Sequence, residues 1–312
     1  MSRYFFYIFL IGISSPILAQ ASSGTDSLNK WSSSSLASLT FSQLSFSNWS
    51  SGGQSSLSAN GLFTYHFSYK DSTMLWDNSF YLAHGVIREG SVKSLAKSDD
   101  RIEFNTSYGW SAFKNWYYNF SFNFRSQAAK GYDSADKIDL ISDFLAPAYS
   151  TISLGMSYQN RAKSLSFQLL PLSGKSTYVH NQDLANSGAF GLKGAAYAPD
   201  GELIQIGALS RTEFGGSLNI QFNKTLWEHV KLDTRVCLFS NYKGVLANID
   251  VNWQMLIFMK ITKFLSANIS THLIYDDDIA ILLDSDQDGV FESIGPRLQF
   301  KELFGIGLNY SF

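Results

Sequence analysis

The sequence predicts an all-β fold: a closed antiparallel transmembrane β-barrel of about twelve strands, within a range of roughly 10–14. Three observations predict it. Apolar residues recur at every second position over long stretches. The links between those stretches alternate between short and long. The chain is rich in aromatics and poor in charge.

The alternation is plainest in five places. Ala247, Ile249, Val251, Trp253, Met255 and Ile257 share one face, against Asn248, Asp250, Asn252 and Gln254 on the other. Trp116, Tyr118, Phe120, Phe122 and Phe124 alternate with Tyr117, Asn119, Ser121, Asn123 and Arg125. Ile102, Phe104, Thr106, Tyr108 and Trp110 stand against Glu103, Asn105, Ser107 and Gly109, and the stretches 57–69 and 265–275 repeat the pattern. A helix returns its apolar residues at spacings of three and four, whereas these return at two. Each run covers the ~9–11 residues that a strand needs to cross a bilayer. A large soluble sandwich is the alternative. It would have to bury stripes such as Phe120-Phe122-Phe124, and its solvent face would carry more Lys and Glu.

Strands are expected at 38–49, 54–70, 73–90, 100–113, 115–130, 147–160, 163–174, 202–223, 229–241, 246–260, 264–276 and 297–312. The stretch 73–90 mixes its parity, with Trp76, Phe80 and Leu82 on one face and Tyr81 and Ala83 on the other, so a bulge or two shorter pieces are open readings. Links after even strands are short: Lys70-Asp71-Ser72, Lys114, Asn160-Arg161-Ala162, the stretch 225–228 and Ile261-Thr262-Lys263. Four links after odd strands are long: 91–99, 131–146, 175–201 and 277–296. Short periplasmic turns alternating with long outer loops are characteristic of outer-membrane barrels.

Composition agrees. Aromatic residues make up 15% of the 312 residues and charged ones only 16%, below the ~25% of an average soluble domain. A net charge of -2 disfavours nucleic acid as a partner. A lone cysteine, Cys237, excludes a disulfide scaffold. A mean hydropathy of -0.06 argues against helical spans, and the longest apolar run, Met255 to Met259, is far too short for one.

The N-terminus carries Arg3, an apolar run from Phe5 to Ile13 and Ile17-Leu18-Ala19-Gln20-Ala21. This is the pattern of a signal peptide spanning 1–19, with cleavage after Ala21 as the other acceptable site. A short segment 20–37 then leads to one barrel domain over 38–312, too short a leader for a folded plug. At the other end Phe304, Ile306, Leu308, Tyr310 and Phe312 alternate with Gly305, Gly307, Asn309 and Ser311. A last strand ending in an aromatic resembles the signal read by the barrel-assembly machinery, which makes that machinery an expected partner through Phe312, alongside outer-membrane lipid and lipopolysaccharide.

Several segments carry a family resemblance. Gln43 followed by Phe46-Ser47-Asn48-Trp49-Ser50-Ser51-Gly52-Gly53 resembles the N-terminal hallmark of a Bacteroidota family known as domain of unknown function 3078. Lys97-Ser98-Asp99-Asp100-Arg101, Ala146-Pro147-Ala148-Tyr149, Tyr275-Asp276-Asp277-Asp278-Ile279 and Gly295-Pro296-Arg297-Leu298-Gln299-Phe300-Lys301-Glu302 are similar to its other blocks. The resemblance implies a barrel in the outer membrane of a Gram-negative bacterium. It brings no activity, cofactor or catalytic residue.

Candidate chemistry is sparse. Asp284, Asp286 and Asp288, followed by Gly289, resemble the start of an EF-hand loop. Position twelve is Gly295 where a bidentate Glu belongs, so a full EF-hand is excluded. A shortened Ca²⁺ turn and a merely solvated acidic loop both stay open, and Asp276-Asp277-Asp278 are further candidate ligands. No other cofactor is indicated. Glu103, Arg125, Arg211, Glu213, Lys231, Asp233, Arg235, Asp250 and Lys301 fall on the lumen parity, as does Cys237. They fit either a salt-bridged filling or a polar pathway.

His66 and His272 read as lumen-facing, and His84 sits in the ambiguous third stretch. No Gly-x-Ser-x-Gly elbow and no metal-spaced His/Cys set occurs, so no catalysis is expected. The sequence thus points to an integral outer-membrane barrel that is structural or a small passive pore. A barrel that handles or hydrolyses envelope lipids is the alternative.

Overall fold

The computed structural model describes residues 30–44, 55–90, 94–132, 139–160, 164–243, 248–262, 264–283 and 293–311. The expected signal peptide, the Trp49 and Gly52-Gly53 segment, the Asp284-Asp286-Asp288 loop and Phe312 lie outside them.

Twelve antiparallel strands close into one barrel. In chain order they are β1 Trp31–Leu44, β2 Ser56–Lys70, β3 Met74–Glu89, β4 Ala96–Phe113, β5 Trp116–Ser126, β6 Ala148–Asn160, β7 Leu165–Tyr178, β8 Ser210–Trp227, β9 Val230–Asn241, β10 Ile249–Lys260, β11 Leu265–Tyr275 and β12 Gln299–Ser311. Each pairs with its sequence neighbours, and β12 closes on β1 from Leu36↔Ser311 to Phe41↔Ile306. Outward positions expose Phe41, Trp110, Tyr118, Phe120, Ile152, Leu172, Phe304 and Leu308. Inward positions bury Ser38, Thr40, Glu103, Asn119, Ser157, Ser266 and Asn268. This inverts the arrangement of a water-soluble core, as a barrel in lipid requires.

The end joined by short turns carries an aromatic ring. Trp31 packs on Tyr69 and Trp76 with centroids 5.0 and 5.9 Å apart. Trp116 meets Phe113, Tyr158 and Phe167 at 5.7, 5.4 and 5.4 Å. Each of these residues stands at the turn end of its strand, the level at which Trp and Tyr rings settle at a membrane interface. Trp116 and Tyr118 point outward, whereas Tyr117 points in, its Cβ beside Gly109.

The turns are shaped by their own side chains. Asp71 accepts hydrogen bonds from the Thr73 and Met74 amides, both at 2.8 Å, and from the Tyr69 hydroxyl at 3.1 Å, so it folds the β2–β3 turn. The β4–β5 turn is Lys114-Asn115, with Asn115 at φ 63 in the left-handed region that Asn tolerates.

Several expected boundaries move. β1 begins at Trp31 rather than 38, because Trp31 to Ser35 continue the ladder with β2 opposite Tyr69 to Tyr65. The expected leader 20–37 therefore gives up 31–37 to the barrel. β4 begins at Ala96, which brings Lys97 to Asp100 into the wall. β7 runs on to Tyr178, and the expected start of β8 at 202 shifts to Ser210. The run Leu203–Gln205 pairs instead with Ala196–Tyr197 as a loop hairpin. β3 is one unbroken strand. Its parity is regular, with Trp76, Phe80 and Leu82 outward, and looks mixed because Tyr81 turns its ring inward; the register shift opposite Gly85 and Val86 leaves its extra residue, Ser98, on β4.

A bulge in β7 matters most for the site. Both ladders of β7 skip register around Leu170 and Pro171. Pro171 has no amide to donate, so a bulge is where a wall strand can hold it. Gly155 of β6 makes this fit, since a Cβ there would stand 2.7 Å from the Leu170 Cα and 2.9 Å from the Pro171 Cδ. The extra residue reverses the parity of β7. Gln168 and Leu170 face the lumen before it, and Ser173, Lys175 and Thr177 face the lumen after it.

The loop end is partly roofed. The β7–β8 link contains a short helix, α1 Gln182–Asn186, capped by the Asn181 side chain. It builds a small apolar core from Ala146, Val179, Leu184, Ala185 and Leu192, with Phe190 packed against it. Among the described residues no helix is long and apolar enough to cross a membrane.

Candidate functional site: the lumen

The barrel is hollow. A cavity of about 1160 Å³ runs from Ser32, Ser34 and Asn160 at the turn end to Phe190 and Ile279 at the loop end. Its turn-end half is lined by neutral polar side chains such as Ser68, Ser107, Gln159, Gln168 and Asn219. Hydrogen bonds cross it there, from Gln159 to Asp77 at 2.9 Å and from Gln168 to Ser107 at 3.0 Å.

Charges gather in the other half, in two groups. The first is a waist around Glu103, which is buried. Arg101 and Arg235 approach it at 3.5 and 3.4 Å. Arg235 reaches from β9 to β4, so this contact spans the lumen. Arg101 also donates to Gln254 of β10 at 3.2 Å and lies 3.8 Å from the centre of the Tyr81 ring. Arg125 stands directly across the ladder from Glu103, yet leans over Tyr149 on its other side, 4.9 Å from the ring centre. His272 joins this level through a 3.0 Å hydrogen bond to Asn252. Lys301 pairs with Asp99 at 2.6 Å just beyond it.

The second group lies under the loops. Lys175 reaches Asp250 at 2.6 Å, Asp276 at 2.9 Å and Glu213 at 3.8 Å. Arg211 bonds Glu213 at 2.9 Å and Asp278 at 3.3 Å, and donates to the Gly191 carbonyl at 3.1 Å. Gly191 has φ 75, and a Cβ there would meet the Arg211 Nη1 at 2.7 Å and the Asp278 carbonyl at 2.8 Å. Two loops therefore meet over the lumen on one arginine.

Of the residues singled out by parity, Glu103, Arg125, Arg235, Asp250, Lys301 and Cys237 line the cavity, with His66 and His272. Arg211 and Glu213 lie in the loop-end group. Lys231 and Asp233 lie exposed toward the turn end of β9. His84 stands at the rim, 4.0 Å from Asp100. Asp276 is buried on Lys175 rather than displayed as an outer ligand. Sequence reasoning missed Lys175, Arg101, Asp99 and Lys97. Arg101 shares the parity of Glu103, a signal that was present. Lys175 was placed in the link 175–201, whereas the strand runs on to Tyr178.

Four of the five segments behind the family resemblance converge here; the one at 46–53 lies outside the described residues. Lys97 donates to Asp100, Gln127, the Ala129 carbonyl and Ser142. Tyr149, Asp276 and Lys301 come from the other three blocks, and all line the same half of the cavity.

The chain matches a family described as a protein of unknown function (DUF3078) over residues 41–132. No curated protein matches it. Among solved structures it is similar to the translocator domain of the autotransporter NalP from Neisseria meningitidis, at 11% identity and a TM-score of 0.32, covering 90% of this chain and 87% of that one. It is also similar to an outer membrane channel from Pseudomonas putida F1, at 11% identity and 0.36, covering 89% and 93%. A third is the beta domain of the Bordetella autotransporter BrkA, at 11% identity and 0.32, covering 90% and 98%. The barrel assignment rests on the strand pairing of this chain itself.

Proposed function

We propose that the protein is an integral barrel of a Gram-negative outer membrane and serves as a small passive pore for hydrophilic solutes. The observation that carries this reading is the hollow lumen. A barrel kept only as a structural wall is served by a filled interior, whereas this one encloses about 1160 Å³ between polar walls. The apolar outer face and the aromatic ring at the turn end support a membrane setting with the turns inward and the loops outward. Side chains that cross the lumen, such as Arg235 to Glu103, set a narrow bore and favour small solutes.

Planar-bilayer recording on purified, refolded barrel tests this. The expected result is a small, stable conductance that grows when the loop over 182–206 is replaced by a short Gly-Ser linker. No conductance from either protein would leave a structural role.

A further inference from the structure

We propose that the waist of the lumen binds a small oxyanion, with Arg125, Arg101 and Arg235 as its ligands, and that this makes the pore anion-selective. The selectivity clause rests on the pore reading; the binding clause does not.

The argument is one of charge and unfilled donors. Three guanidiniums face the lumen at one level, and the carboxylate among them is Glu103. Each guanidinium has five N–H donors. Glu103 takes one weak contact from Arg101 and one from Arg235, at 3.5 and 3.4 Å. The Arg101 Nε is buried without a hydrogen-bond partner. Among the described residues Arg125 pairs with no carboxylate, although Glu103 is its cross-strand neighbour. Its fork rests instead over the Tyr149 ring, as that of Arg101 rests over Tyr81. Stacking on a ring holds a guanidinium in place while leaving its edge free to take an oxyanion by two parallel bonds. Glu103 is the carboxylate that contacts two of the three guanidiniums, and Asp233 adds a more distant negative charge beside Arg235, so an excess of positive charge remains at the waist. Such an excess is costly in a partly dehydrated bore, and an anion from solution relieves it.

Lys301 is matched by Asp99, and the loop-end group holds four carboxylates, Asp250, Asp276, Glu213 and Asp278, on two cations, Lys175 and Arg211, so the positive excess is confined to the waist and the mouth above it is negative. The approach from the turn end passes serines, asparagines and glutamines, with Asp77 held by Gln159. His272 at the same level adds a hydrogen-bonding ring.

Two measurements test the proposal. In the first, inorganic phosphate is titrated into detergent-refolded barrel by calorimetry, for wild type, Arg125→Gln and Arg125→Lys. The expected outcome is saturable binding to wild type, weakened about tenfold or more in Arg125→Gln. Arg125→Lys, which keeps the charge and loses the fork, should fall between them. Heat-modifiable gel mobility verifies that each variant is folded, and Arg235→Gln replaces any variant that is not. Absence of wild-type binding, or equal binding by the folded variants, overturns the proposal whether or not the barrel conducts. In the second, reversal potentials are read across a potassium chloride gradient. A shift toward the chloride potential that shrinks in Arg125→Gln supports selectivity. A conducting wild type with no such shift overturns it, and a silent membrane overturns the pore reading while the titration still decides on binding.

Discussion

The ammonium of Lys175 in β7 lies 2.6 Å from a carboxylate oxygen of Asp250 in β10, with two strands between them in the wall. Such a bond braces one side of the cylinder against another, and Asp276 and Glu213 share the same ammonium. Lys175→Met leaves these carboxylates without their common partner. It should lower barrel stability by about 2–3 kcal/mol, discounted for the water in the lumen. Urea midpoints in detergent measure the loss, and adding Asp250→Asn should recover part of it.

Arg211 ties the Gly191 loop to Asp278. Gly191→Val combines a clash with a left-handed backbone, and Arg211→Ala removes the tie itself. Both should free the loop over 182–206. Limited proteolysis should cut that loop faster than in wild type, and single-channel conductance should rise.

Asp71 supplies the pH dependence of the turn end. Hydrogen bonds from the Thr73 and Met74 amides lower its carboxyl from 3.8 to about 2. A group with a depressed folded value stabilises the fold above its ordinary value and ceases to do so as pH falls through the depressed one. The contribution is therefore complete above about pH 4 and disappears toward pH 2. Thermal melts of wild type and Asp71→Asn across that window should converge as the pH falls. Parallel curves would exclude the turn as their cause.

Asn78 lies on an outward position of β3, between Phe67 and Thr106 on the neighbouring strands. It is 5% exposed, and neither atom of its amide has a hydrogen-bond partner. A buried unsatisfied amide costs about 1–3 kcal/mol. Asn78→Leu should raise the unfolding midpoint in detergent, and an unchanged or lowered midpoint would contradict this account.

Much of the wall was legible because lipid on one side and water on the other impose a two-residue period on every strand that separates them. Legibility failed where that contrast fades. Ser32-Ser33-Ser34-Ser35 carries no apolar residue of its own, and only the register opposite Ser68 to Tyr65 shows it to be strand. Leu203 to Ile206 has the contrast of a wall strand yet lies in a loop, because its partner is Ala196–Tyr197. In β7 the extra residue at Pro171 breaks the alternation, the expected strand stops at 174, and Lys175 was therefore placed in the link that follows. The waist was legible one residue at a time through parity. Its pairings were not, since Glu103 and Arg235 are 132 residues apart and meet only when the cylinder has closed.

That closure has a consequence for how the molecule comes apart. β1 is bonded to β2 from Trp31 to Leu44, but to β12 only from Leu36 to Phe41. The shortest ladder is thus the one that joins the two ends of the chain, and it alone turns a curved sheet into a tube. With the fewest bonds to break it is the seam expected to open first, so amide deuterium uptake should appear earliest along Ile306 to Ser311, before any hairpin in the wall loosens.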